Sequence, residues 1–151
     1  MRRLIVASAI CSCLLFLSTL PLRAADGTAA EARALLDRAA AAVKADKPAA
    51  ISQFNKGENG FKDRDLYVFC IDLDGKFVAH PNPALLGHDA KALKDSTGKA
   101  FVVEFLTVAQ EDKVAEVDYL FPRPGTKEPA VPKASFVTKV ADLVCGVGYY
   151  K

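Results

Sequence analysis

The sequence predicts an α+β fold: an antiparallel sheet of five strands, a long N-terminal helix, and a further helix after the first hairpin. Three observations lead there. Residues 28–46 carry apolar side chains at Ala32, Leu35, Leu36, Ala39 and Val43, the spacing of one helical face. Residues 66–72 (LYVFCID) form a dense β-forming run that is apolar on both faces, as expected of a central strand covered on both sides. Three more strand-like runs, 114–121, 133–140 and 143–150, follow a second helical stripe at 99–112. Helices, a hairpin, a helix and then consecutive strands is the order of an α+β domain.

The chain opens with Met1-Arg2-Arg3, an apolar run over 4–22 and small residues at Ala24 and Ala25. That is the layout of a secretory signal peptide. Residues 1–25 are therefore expected to be removed after Ala24 or Ala25, leaving 26–151 as one domain, periplasmic or secreted. An uncleaved membrane anchor is the alternative; lipidation at Cys13 is disfavoured, because most of the apolar run still follows it. Without Arg2, Arg3 and Arg23 the mature chain holds 17 basic against 18 acidic residues. That near-neutral balance gives no electrostatic footprint for nucleic acid. No second apolar run reaches membrane-spanning length, so the mature chain is not expected to span a bilayer.

In the first helix Asp26 or Thr28 serves as N-cap, and Glu31 suits the positive end of the helix. Ala39 to Ala42 gives a slim face that fits either the sheet or a second copy of itself. Pro48 suits the first turn of a short helix over 48–55, and residues 56–60 (KGENG) make a loop. The hairpin turns at Asp74-Gly75, where glycine accepts positive φ, and returns over 76–80 until Pro81 and Pro83 end the strand. Residues 82–88 form a loop with a small apolar plug, and one helical turn is expected at 89–93. Residues 95–98 (DSTG) are turn chemistry before the helix that shows Phe101, Val102, Phe105, Leu106 and Ala109 on one face. Val117, Tyr119 and Phe121 share a face of the next strand. A stiff proline-rich loop spans 122–132, and Ala141-Asp142 turns between the last two strands. Gly146 and Gly148 share a face, which allows close approach to the backbone.

Cys70 and Cys145 remain after export. They either form a cross-strand disulfide or stay as two buried thiols. Together with His80 and His88 they match no standard zinc spacing, so no metal is expected. Asp72-Leu73-Asp74-Gly75 lacks the remaining ligands of a calcium loop and reads as a turn. No G-x-S-x-G, H-E-x-x-H or glycine-rich phosphate loop is present, and Cys70 lies in a strand where a thiol is inert. Neither an enzyme nor a bound cofactor is expected.

The order and spacing of several segments resemble a single Cache domain, the PAS-like extracellular sensor module. They are Asp65-Leu66-Tyr67-Val68-Phe69 into Asp72-Leu73-Asp74-Gly75, His80-Pro81-Asn82-Pro83, Leu86-Gly87, Gly98-Lys99 and Val117-Asp118-Tyr119. Phe121-Pro122-Arg123-Pro124-Gly125, Lys133-Ala134-Ser135-Phe136-Val137 and Gly146-Val147-Gly148-Tyr149-Tyr150 complete the set. The resemblance implies that the first and last strands pair at the sheet centre. It also implies a pocket between one sheet face and the loops after the second strand. Members bind small molecules, often small carboxylates, as the outer part of chemoreceptors or histidine kinases; no second membrane span or output domain is recognisable here, so a free-standing exported member is expected. Where the family often has Trp before the proline of the third-strand exit this chain has Phe121, and its fourth-strand Ser-Tyr is Ser135-Phe136, so two pocket-edge rings lack a polar handle.

Six residues are candidates for contact with a small acid. Lys133 opens a strand and either pairs with a ligand carboxylate or is solvated. Tyr119 either walls a pocket or is a core residue with its hydroxyl at the surface. Phe121 and Phe105 are apolar wall or core. His80 either donates to a ligand oxygen or fixes its loop, whereas His88 is solvated. Arg123 either clamps an anion or is solvated. An accessory envelope protein, using its N-terminal helix to pair with a receptor or a second copy, is the alternative function.

Overall fold

The computed structural model describes residues 26–151, so the expected signal peptide lies outside the described residues. Its elements are α1 (Ala29–Ala45), α2 (Lys47–Lys56), β1 (Lys62–Asp63), β2 (Leu66–Asp72), β3 (Phe77–Ala79), α3 (Phe101–Val108), β4 (Ala115–Phe121), β5 (Val131–Val140) and β6 (Leu143–Tyr150). Two short 3-10 turns, Pro83–Leu85 and Ala90–Ala92, lie between β3 and α3. The sheet is antiparallel in the order β1-β2-β6-β5-β4, with β3 also paired to β2. Among the described residues no helix is long and apolar enough to cross a membrane.

α1 starts where Thr28 and Glu31 form a capping box, Thr28 Oγ1 accepting from Glu31 N and Glu31 Oε2 from Thr28 N. Ala32, Leu35, Leu36, Ala39 and Val43 are buried against the sheet, so the slim alanine face lies on the strands. Asp46 ends α1 and caps α2, and Gly57, in the left-handed region at φ 66°, ends α2. At the hairpin Asp72 Oδ1 accepts from Lys76 N at 2.8 Å and Gly75 sits at φ 89°. The acidic residues there hold a turn.

Alternation divides the apolar strand residues between two layers. Leu66, Val68, Cys70, Cys145, Val147 and Tyr149 face α1 and α2. Phe69, Ile71, Val117, Tyr119, Val137 and Val144 face α3 and the loops after β3. β2 and β6 pair at the centre, with Cys70 directly opposite Cys145. The two are joined by a disulfide, with Cα atoms 4.1 Å apart, on the helical side of the sheet.

Three expectations need correction. Six strands form among the described residues, because Lys62–Asp63 pairs with Tyr67 and Leu66; two polar residues show no periodicity from which to read a strand. The second helical stripe is helix only over Phe101–Val108: Ala109 is extended and Gln110 pairs with Lys113 in a tight turn. β5 begins two residues early and includes Pro132, which lacks an N–H but whose carbonyl still accepts from Lys151 N at 3.1 Å.

Candidate functional site

The C-terminal part of β6 and the paired parts of β2, β5 and β4 build the site. Lys133 stands opposite Tyr150 on one side and Tyr119 on the other. Its aliphatic stem crosses the β6 backbone at Gly148, where a Cβ would lie 2.6 Å from Lys133 Cε. The side chain reaches three rings: Nζ is 4.6 Å from the Tyr150 centroid, 5.0 Å from Tyr67 and 5.1 Å from Phe121. Lys133 is 1 % exposed, which removes the solvated reading. Among the described residues no carboxylate lies within ion-pair distance of its ammonium. Burial pushes its pKa down to about 8, opposed by the field of Asp65 and assisted by that of Arg123.

His80 lies at the exit of β3, its ring edge-on to Tyr67 and Phe77 at 5.1 and 5.5 Å. Its Nδ1 accepts from Asn82 N at 2.9 Å, so in the neutral ring Nε2 carries the proton. One nitrogen fixes the loop, and the other is a donor with no acceptor among the described residues. Burial pushes the His80 pKa down to about 4, with the Lys133 charge acting in the same direction. His88 is exposed.

Tyr119 is buried, its hydroxyl 2.8 Å from Ser135 Oγ and its ring stacked on Phe101 at 4.4 Å. Its hydroxyl is therefore held inside the protein, and burial raises its pKa. Phe105 packs deep on Phe69 at 5.6 Å. Arg123 lies at the rim, pairing with Asp26 at 2.6 Å and covering the Tyr150 ring at 4.4 Å. Phe136 is not at the pocket edge: register turns it to the α1 side, where it stacks on Tyr149 at 5.4 Å.

Two cavities meet here. The inner one, about 40 Å³, is walled by Phe69, Phe77, Phe101, Phe105 and Tyr119 and reaches His80. The outer one, about 540 Å³, is lined by Asp65, Tyr67, His80, Phe121 and Arg123 among others. Tyr67, His80 and Phe121 border both. Tyr67 and Tyr150 are not among the contact residues expected from the sequence. Period-two alternation through Phe69 and Ile71 places Tyr67 on this face, and counting from Gly146 and Gly148 places Tyr150. Burial pushes the Tyr67 hydroxyl up to about 12. Tyr150 donates to Pro122 O at 2.8 Å. The disulfide occupies both cysteines on the opposite sheet face, so they offer no thiolate to a metal or a substrate.

A buried lysine, a histidine donor and an aromatic wall thus lie together at one end of the sheet, with Lys133 behind the Tyr67 and Phe121 rings and lining neither cavity itself. The chain is 35% identical over 91 residues to the methyl-accepting chemotaxis protein McpP of Pseudomonas putida; the match covers 58% of this chain but 16% of that protein. A solved periplasmic sensor domain of a chemotaxis protein is 30% identical with a TM-score of 0.61, over 78% of this chain and 86% of that one. A Cache chemosensory domain solved to explain carboxylic acid recognition is 29% identical with a TM-score of 0.59, over 78% and 84%. The family model for single Cache domain 2 matches residues 24–150, and the chain belongs to that family.

Proposed function

We propose that this domain is a periplasmic sensor module that binds a small organic acid, with the ligand carboxylate matched to Lys133 and His80. The observation that carries the proposal is the buried Lys133 ammonium with no anionic partner among the described residues. Leaving such a cation unpaired is costly, and a bound carboxylate both repays that cost and gains a charge-assisted hydrogen bond. Nε2–H of His80 supplies a second donor, and the Tyr67 hydroxyl, which makes no hydrogen bond among the described residues, a third. Lys133 lines neither cavity, but its ammonium faces the rings of Tyr67 and Phe121, which line both, so ligand contact requires one of those rings to move aside. The inner cavity then takes a short apolar tail, since one water needs about 10–15 Å³ by the same measure. Tyr119 and Phe105 wall that cavity, and Arg123 lies at its outer rim. The carboxylic acid recognition attributed to one structural neighbour agrees with this chemistry.

The test is a thermal-shift and calorimetric screen of the exported protein with acetate, propionate, pyruvate and lactate. At least one should raise the melting temperature in a saturable way. Absence of any shift, together with no small acid co-purifying in mass spectra, would overturn the reading.

A further inference from the structure

Asp26, just before α1, reaches the rim of the outer cavity. Its Oδ2 is 2.6 Å from Arg123 Nη1. The same segment is pinned to other residues lining that cavity. Gly27 N donates to Asp65 Oδ1 at 2.6 Å, and Arg64 Nη1 donates to the Asp26 carbonyl at 3.4 Å. Gly27 is buried, and a Cβ there would overlap the Leu66 side chain. The position of Asp26 is thus set by the fold.

Arg123 and Lys133 share one aromatic platform. The guanidinium carbon lies 4.4 Å and the ammonium 4.6 Å from the Tyr150 ring centroid. Among the described residues a carboxylate pairs with the first cation and none with the second. The other charged groups lining the outer cavity are Lys62, Arg64 and Asp65. Arg64 is paired with Glu31 and Asp63, and Asp65 adds a second negative charge beside Asp26.

We infer that Asp26 is an internal carboxylate that sets the ligand class: by occupying Arg123 it restricts the site to acids with one carboxylate and rejects dicarboxylates. The inference rests on the carboxylate reading above. The remaining lining cation, Lys62, is exposed with its stem along Gly57, so a second ligand carboxylate directed toward Arg123 meets Asp26 and Asp65, not a free guanidinium, and like charges in a partly desolvated site repel. Replacing Asp26 by its neutral isostere frees the Arg123 fork, which is suited to bidentate capture of a carboxylate.

The experiment titrates wild type, D26N and the double variant D26N/R123Q with propionate and with succinate by calorimetry. Wild type should bind propionate and bind succinate far more weakly. In D26N the succinate-to-propionate affinity ratio should rise by roughly tenfold or more, the scale of one new charge-assisted contact, and the gain should vanish in the double variant. A structural role for Asp26 would lower both affinities together and leave the ratio unchanged. Wild type that binds propionate, with an unchanged ratio in D26N, overturns this inference alone. Tight succinate binding by wild type also overturns it. If wild type binds acetate, pyruvate or lactate in place of propionate, that acid is the monocarboxylate of the ratio; wild type that binds none of these acids overturns the carboxylate reading and this inference with it.

Discussion

Lys133 carries a stability cost and, under the proposed function, the charge that meets the ligand. Its pKa falls from 10.5 to about 8 on folding, so in neutral solution the folded state holds a cation it would rather release. The unfolded chain binds more protons between about pH 8 and 10.5, so this residue makes stability rise with pH across that window. At pH 7 the penalty is on the order of 3 kcal/mol. Lys133→Met should therefore raise urea-denaturation stability by about 1–3 kcal/mol while weakening binding of the small acid by roughly a hundredfold or more. In the wild type, affinity should fall as pH rises through 8, because the neutral amine offers no charge. Binding that survives the Met substitution would remove Lys133 from the site.

His80 acts at the other end of the pH scale. Its pKa is depressed to about 4 from 6.5, so the unfolded chain takes up the proton first as pH falls. Stability should decline as pH drops from about 6.5 toward 4, and His80→Gln should flatten that slope in thermal melts. These roles were only half legible from sequence. A lysine after a proline-rich loop reads equally as a solvated strand end, because sequence carries no record of the three rings around it.

At the scale of elements, the β2–β6 pair is the part on which the site depends most. The two strands are buried on both faces, and their disulfide closes a sequence separation of 75 residues. Chain-entropy reasoning assigns such a closure about 4 kcal/mol. The C70A/C145A variant should lose about 2–4 kcal/mol in urea denaturation, after allowance for the small hydrophobes left behind. Gly148 has a different task on the same strand. Its missing Cβ leaves the groove in which Lys133 lies, so Gly148→Ala should lift the lysine off β6 and reduce affinity roughly tenfold or more, with the far-UV spectrum retained. The strands and α1 were legible because periodicity and capping are local signals. The two-residue β1 and the early end of α3 were not, since both depend on pairing partners distant in sequence.

Across the whole molecule, two apolar layers share one sheet. α1 and α2 cover one face, while α3 and the loops cover the other along with the cavities. A shared sheet predicts one cooperative transition. Far-UV circular dichroism and tyrosine fluorescence should give coincident melts, and a saturating small acid should shift both by the same amount. At a hundred times its dissociation constant a ligand adds about 2.7 kcal/mol. Non-coincident melts would show that the cavity face unfolds separately.

The sequence by itself determined the α+β class, the central hairpin and the pairing candidates Cys70 and Cys145. Those follow from period, turn chemistry and composition, which act over a few residues. Tertiary structure alone decided that Lys133 is buried with no carboxylate beside it among the described residues, that Arg123 already holds Asp26, and that Phe136 faces the helices. Each of these depends on strand register, which brings residues far apart in the chain within a few ångströms and reverses a side chain's face with a one-residue shift.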